Sequence, residues 1–207
     1  MPRRLRLQTP GTPHHVIQRG VNRVDIFRSE ADYECFLAIL RAATIKHQTH
    51  VHTFVLMTNH VHLVVTPQVE NALSATMKSV EETYVRYFNR RYERTGGLFD
   101  GRYRSLVIDS DRYFLTCMRY VELNPLRAGI VSRPEEYRWS SYRFHALGEG
   151  NDLIVPHHLY LALGNSAAVR RQCWAAICRE ALTEEQLAEM RDLVRHGRTV
   201  THAQPTT

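Results

Sequence analysis

The sequence has no apolar run approaching the roughly 18 to 20 residues that span a bilayer, so a cytoplasmic protein without membrane attachment is expected. The N-terminus, MPRRLRLQTPGTPHHV, carries the charges of a signal peptide but no apolar core behind them. No GxxxxGKS/T loop occurs, so no nucleotide cofactor held in that way is expected. The four cysteines (Cys35, Cys117, Cys173, Cys178) lack CxxC spacing. They read as reduced, buried small residues rather than zinc ligands. There is no internal repeat. What is present is the composition of a globular protein, 43% hydrophobic and 23% charged over 207 residues. The formal charge is +6, with a pI near 9.3. The excess is arginine, a planar and permanently charged donor suited to phosphate. Charge alone makes nucleic acid the leading partner, with acidic membranes or simple solubility as the alternatives.

Periodicity gives an ordered set of elements. HHVIQRG (14–20) reads as a strand ended by glycine, and Ser29 as the cap of a helix over 30–47. The β-rich runs 51–57 and 60–66 are separated only by Thr58-Asn59, which predicts an antiparallel hairpin. A helix over 71–94 stops before Gly96-Gly97. A strand over 104–110 and a helix over 111–125 ended by Pro125 follow. The first six elements match an α+β, ferredoxin-like βαββαβ fold with helices on one sheet face. Gly148-Glu149-Gly150-Asn151 reads as a linker-like break. The expected division is therefore a core domain over 1–145 and a helical extension over 146–207. Helices are expected within 156–196, the last starting at Thr183-Glu184-Glu185, ahead of a disordered tail.

Three motifs carry chemistry. In the strand His60-Val61-His62, alternation puts both imidazoles on one face, about 7 Å apart at the backbone. Two imidazoles on a rigid strand can bind one divalent ion and leave positions for a carboxamide, water and phosphate. His50-Val51-His52 repeats the spacing. The two-residue turn sets Met57 opposite His60 and Val55 opposite His62, which predicts that His52 points to the other sheet face. Standing alone, such a pair is more often two surface histidines. On the next helix Tyr120 and Asn124 are four apart and share a face, which Tyr113 and Thr116 extend. A tyrosine phenol, with a pKa near 10, attacks phosphorus more easily beside a metal, and Asn124 offers a third, neutral ligand. Glu122 points about 160° away from Tyr120. Standing alone, a helical tyrosine is more often a core residue. Third, YVRYFNRRYERTGGLFDGRYR (84–104) interleaves Arg86, Arg90, Arg91, Arg94, Arg102 and Arg104 with six aromatic rings. Arginines tracking phosphates while rings stack on unpaired bases is how proteins grip single strands. Tyr84 and Phe88 are expected to pack inward instead, and a solvated arginine-rich helix surface is the competing reading.

The runs LMTNHVHLVV, GLFDGRYRS, YFLTCMRYVELNPLRAGIV and RWSSY together resemble the REP-associated tyrosine transposases, a branch of the single-tyrosine HUH transposases. The resemblance covers about 13–145. It implies a ferredoxin-like HUH nuclease core that cleaves single-stranded DNA beside a hairpin, using Mg²⁺ or Mn²⁺. The implied products are a 5′-phosphotyrosine link and a free 3′-OH. By the same resemblance His60 and His62 are metal ligands, Tyr120 is the nucleophile, and Asn124 stands where relatives carry a polar third ligand. The family includes both monomers and dimers that swap the tyrosine helix. Two other readings stay open: a hairpin-binding protein that makes no cuts, and a metal phosphodiesterase that uses water.

Overall fold

The computed structural model describes residues 9–180 and 182–196. Residues 1–8 of the basic leader and the tail from 197 onward lie outside the described residues. The first part of the chain runs β1 (His14–Arg19), α1 (Glu30–His47), β2 (Thr49–Met57), β3 (His60–Pro67), α2 (Ala72–Arg91) and β4 (Arg104–Val107). The strands form one antiparallel sheet in the order β2-β3-β1-β4. This is the ferredoxin-like order, so the expected fold class is the observed one. No described helix is long and apolar enough to cross a membrane.

Alternation in β3 explains the layering. Val61, Leu63 and Val65 turn to one face and pack with Phe36, Leu40, Met77, Val80, Tyr84 and Phe88 of α1 and α2. Tyr84 and Phe88 thus pack inward, as expected. The opposite face is also buried. Ile17, Val55, Met57, Val64 and Leu106 meet α3 (Asp111–Glu122) and, beyond it, Trp174, Cys178, Leu187 and Met190. These last residues belong to α6 (Ala167–Arg179) and α7 (Glu184–His196), which follow the one-turn helices α4 (Asn124–Arg127) and α5 (His158–Leu161). A sheet buried on both faces accounts for the near-continuous apolar content of β2 and β3.

Local chemistry sets the boundaries. Ser29 caps α1, and the buried Asp32 carboxylate accepts from the backbone N–H groups of Arg28 and Ser29. β4 ends at Val107, not at 110, because its only partner, β1, begins opposite that residue. Ser110 is used instead as the N-cap of α3, its Oγ accepting from the Tyr113 N–H. The RWSSY run guards the sheet edge. Leu56 N–H donates to the Trp139 carbonyl and Ser141 N–H to the Phe54 carbonyl, and Ile154 then pairs with Val51. The exposed edge of β2 is closed to foreign strands in this way.

One expectation is overturned. Met57 does face His60 and Val55 does face His62, but a bulge lies between Val51 and Thr53. The extra residue, His52, therefore turns to the His62 face, where its Nε2 lies 2.8 Å from Thr66 Oγ1. It remains apart from His60 and His62, because Thr66 is four residues along β3 from His62, about 13 Å away.

Candidate active site

Three elements converge on Tyr120. β3 supplies His60 and His62, their ring centroids 5.0 Å apart and nearly perpendicular. β1 supplies His15, whose Nε2 lies 2.9 Å from His62 Nδ1. α3 brings the Tyr120 ring edge-on to His62 at 6.0 Å and to His15 at 6.3 Å. Tyr120 is 8% exposed, which keeps its ring fixed while leaving a narrow approach. The expected pairing of the HxH strand with the tyrosine helix is thus seen as a cluster.

The imidazoles are prepared as neutral donors. Burial lowers His60 to about 4, and the nearby charge of Arg19 adds to the effect. Burial pushes His62 well below the ordinary range, followed by repulsion from His15, His60, Arg127 and Arg19. His15, fully enclosed, falls to about 3 for the same first reason. The Nδ1 atoms of both candidate ligands are engaged, His60 with Asn59 Oδ1 at 2.7 Å and His62 with His15. Each ring thereby keeps Nε2 for another partner, as in metal sites where the second nitrogen is held by a neighbour. Among the described residues no group of three or more His, Cys, Asp and Glu side chains is arranged to hold a metal ion. A cation here would rest on two imidazoles and on donors of other kinds.

A cavity of about 310 Å³ opens beside Tyr120, lined among the described residues by Arg19, Arg23, Arg102, Arg104 and Arg191, together with Asp100. Gly20 allows the turn that gathers them: a Cβ there would sit 2.3 Å from the Val24 carbonyl oxygen. Asn22 and Arg23 follow in the left-handed region, at φ 51° and 60°. Such cost in non-glycine residues is typical of backbone held for a purpose. Asp100 N–H donates to the Arg19 carbonyl at 2.8 Å, which docks the 98–101 loop against β1.

The six arginines expected to bind DNA are divided. Arg102 and Arg104 line the cavity. Arg86, Arg90 and Arg91 lie on α2, behind the sheet; Arg91 pairs with Asp32 at 3.5 Å, and Arg94 packs over Phe88. Several rings of the same stretch are also occupied, Tyr87 and Tyr92 donating to Asp32. Asn124 is half-buried and opens α4 one residue past a break at Leu123. It therefore lies beyond the regular helix that the shared-face argument assumed.

Sequence reasoning passed over His15, Arg19, Arg23, Arg127 and Arg191. His15 and Arg19 belong to β1, where period-two alternation from Ile17 would have found both. Arg191 comes from α7, and nothing local signals its reach. Arg127 lies on α4, past the break at Leu123, so helical counting from Tyr120 does not reach it. Its guanidinium lies 4.0 Å over the Tyr120 ring.

The family model described as "Transposase IS200 like" matches residues 10–124. Among solved structures, a REP-associated tyrosine transposase bound to a REP hairpin aligns with a TM-score of 0.60 and 13% identity, covering 76% of this chain and 93% of that one. A putative transposase from Deinococcus radiodurans aligns with a TM-score of 0.41 and 15% identity, over 66% of this chain and 98% of that one. A search of curated proteins gave no match. The matched segment spans more than half of the sequence and contains the HxH strand and Tyr120; the chain belongs to the IS200-like family of tyrosine transposases.

Proposed function

We propose that this transposase cleaves single-stranded DNA beside a hairpin by direct transesterification, with Tyr120 as nucleophile. The general activity, nucleic-acid cleavage by a transposase, comes with the family. The observation that carries the finer reading is the Tyr120 ring, set against His62 and lining a cavity that it shares with Arg19, Arg23, Arg102, Arg104 and Arg191. In this reaction the Tyr120 Oη attacks phosphorus and the bond from phosphorus to the 3′-oxygen breaks. The phenol proton is lost, and the departing 3′-oxygen takes one up. The 5′-phosphotyrosine keeps the energy of the broken bond, so another 3′-OH can reverse the step without ATP. A divalent cation, Mg²⁺ or Mn²⁺, held by His60, His62 and Asn124, would polarise the scissile phosphate. The arginines bind the flanking phosphates and hold the strand in line with Tyr120. Hairpin DNA is the proposed substrate because the relative of matching fold is bound to one. Residues 1–145 form the proposed catalytic unit and 146–207 its extension. Glu122 on α3 accepts from Trp174 of α6 at 2.8 Å, which ties the extension to the tyrosine helix.

The test is to incubate labelled single-stranded hairpin DNA with the protein and Mn²⁺ and look for an adduct that survives denaturation. An adduct supports the proposal. Cutting without an adduct would favour a water-using phosphodiesterase, and a band shift without cutting would favour a binding protein. The divided arginines give a second prediction. Arg102→Ala with Arg104→Ala should weaken binding and reduce the salt slope of log K by roughly 1.4, about 0.7 for each lost phosphate contact on a single strand. Arg86→Ala with Arg90→Ala should leave that slope nearly unchanged. Equal effects of the two pairs in a salt titration would count against the cavity as the DNA site.

A further inference from the structure

Tyr120 sits two residues before the end of α3, and the helix is interrupted just past it. Leu123 leaves helical geometry at φ −87° and ψ 5°, and Pro125, which has no N–H, lies in the first turn of α4. The break matters for the tyrosine's own backbone. The Tyr120 carbonyl accepts from Arg127 Nη1 at 2.7 Å, and the same guanidinium lies 4.0 Å over the Tyr120 ring. One side chain thus holds the residue at two points, backbone and ring. His62 and His15 meet the same ring edge-on. Between them, these groups leave the phenol little freedom to rotate.

Resting on the reading of Tyr120 as nucleophile, we propose that Arg127 is the positioning residue for that nucleophile. It clamps the Tyr120 ring between its guanidinium and the two histidines and supplies a fixed positive charge beside the oxygen that attacks phosphorus. The physical argument has two parts. An attacking oxygen must be held in a near-attack geometry, and a misplacement of about 1 Å costs roughly a hundredfold in rate. A guanidinium is also planar, so it can lie flat on a ring and still direct an N–H at a carbonyl in a way an ammonium cannot. Arg191 of α7 lines the cavity beside Tyr120 and is near enough to Arg127 for its charge to be felt there. Two like charges brought to one tyrosine suit a site that receives a phosphate.

The experiment measures single-turnover adduct formation on labelled hairpin DNA with Mn²⁺, against DNA affinity by filter binding, for Arg127→Met, Arg127→Lys and the unaltered chain. Arg127→Met is expected to slow adduct formation about 100-fold at saturating DNA, with affinity changed less than threefold. Guanidinium chloride at low millimolar concentration should restore part of the lost rate. Arg127→Lys keeps the charge without the planar clamp, and should recover less than a tenth of it. A rate within threefold of the unaltered chain in Arg127→Met would overturn the proposal. So would a loss confined to affinity, which would make Arg127 a phosphate contact only. Arg127→Lys settles the matter if Arg127→Met fails to fold. Its expected outcome is slow chemistry with near-normal affinity, and a near-normal rate would overturn the clamp. An adduct that persists in Tyr120→Phe tells against the nucleophile itself and is distinguishable from every Arg127 outcome.

Discussion

Tyr120→Phe is expected to abolish the covalent adduct, by at least about 10³-fold, while DNA binding stays within threefold. The substitution removes one oxygen and leaves the ring. The ring keeps its contacts with His62 and His15, edge-on, and with the Arg127 guanidinium over its face, and only the hydroxyl's own bond with Arg127 is lost. Loss of one hydroxyl should therefore shift stability by no more than about 1 kcal/mol, so lost activity would not be lost fold. Adduct gels, filter binding and a urea melt on the same preparation separate the three quantities. An adduct that survives would point to Tyr113, which lies on the same helix and is also 8% exposed. The prediction is stringent because it demands normal affinity together with absent chemistry.

Much of this arrangement was legible from local rules, and the failures share a cause. The Thr58-Asn59 turn fixed the register of β2 on β3, so the facing of His60 and His62 followed from counting. The same counting failed at His52, because a bulge adds a residue without any mark in composition. The arginine stretch read as one surface because it is continuous in sequence. In space α2 carries Arg86, Arg90 and Arg91 behind the sheet, whereas Arg102 and Arg104 enter the cavity after the chain has turned at Gly96 and Gly101. Arg127 escaped because α3 ends at Glu122 and a separate short helix, α4, brings its side chain back over Tyr120, a return that counting along one helix does not follow. Contacts such as Arg191 with the cavity join segments far apart in the chain, and single-sequence periodicity carries no information about those.

Glu122→Ala is expected to cost about 3–5 kcal/mol, a large share of the total stability of an ordinary domain. Sequence geometry placed this carboxylate on the opposite side of α3 from Tyr120, and that side is a closed polar hub. Glu122 is 0% exposed. Its Oε1 accepts from Thr53 at 2.9 Å and from Ser141 at 2.6 Å, and lies 2.6 Å from His145 Nδ1. Its Oε2 accepts from the Trp174 indole at 2.8 Å. Removing the acceptor strands these donors in a fully buried site, and the desolvation cost of each is no longer offset. Because β2, the RWSSY run, α3 and α6 all meet there, the loss should spread to the mounting of Tyr120. The pH dependence gives an independent check. Burial alone would raise this carboxyl, but the charge of His145 and the hydrogen bonds from His145, Ser141 and Trp174 outweigh it and hold the pKa below the ordinary 4.5. A folded pKa below the unfolded one means that the contribution is present above pH 4.5 and is lost as pH falls through the folded value. Urea melts of the unaltered chain should therefore show a loss of stability in that acid range that Glu122→Gln lacks. A Glu122→Ala midpoint corresponding to less than 1 kcal/mol at pH 7 would show that the hub is dispensable and that α3 is held by its apolar face alone.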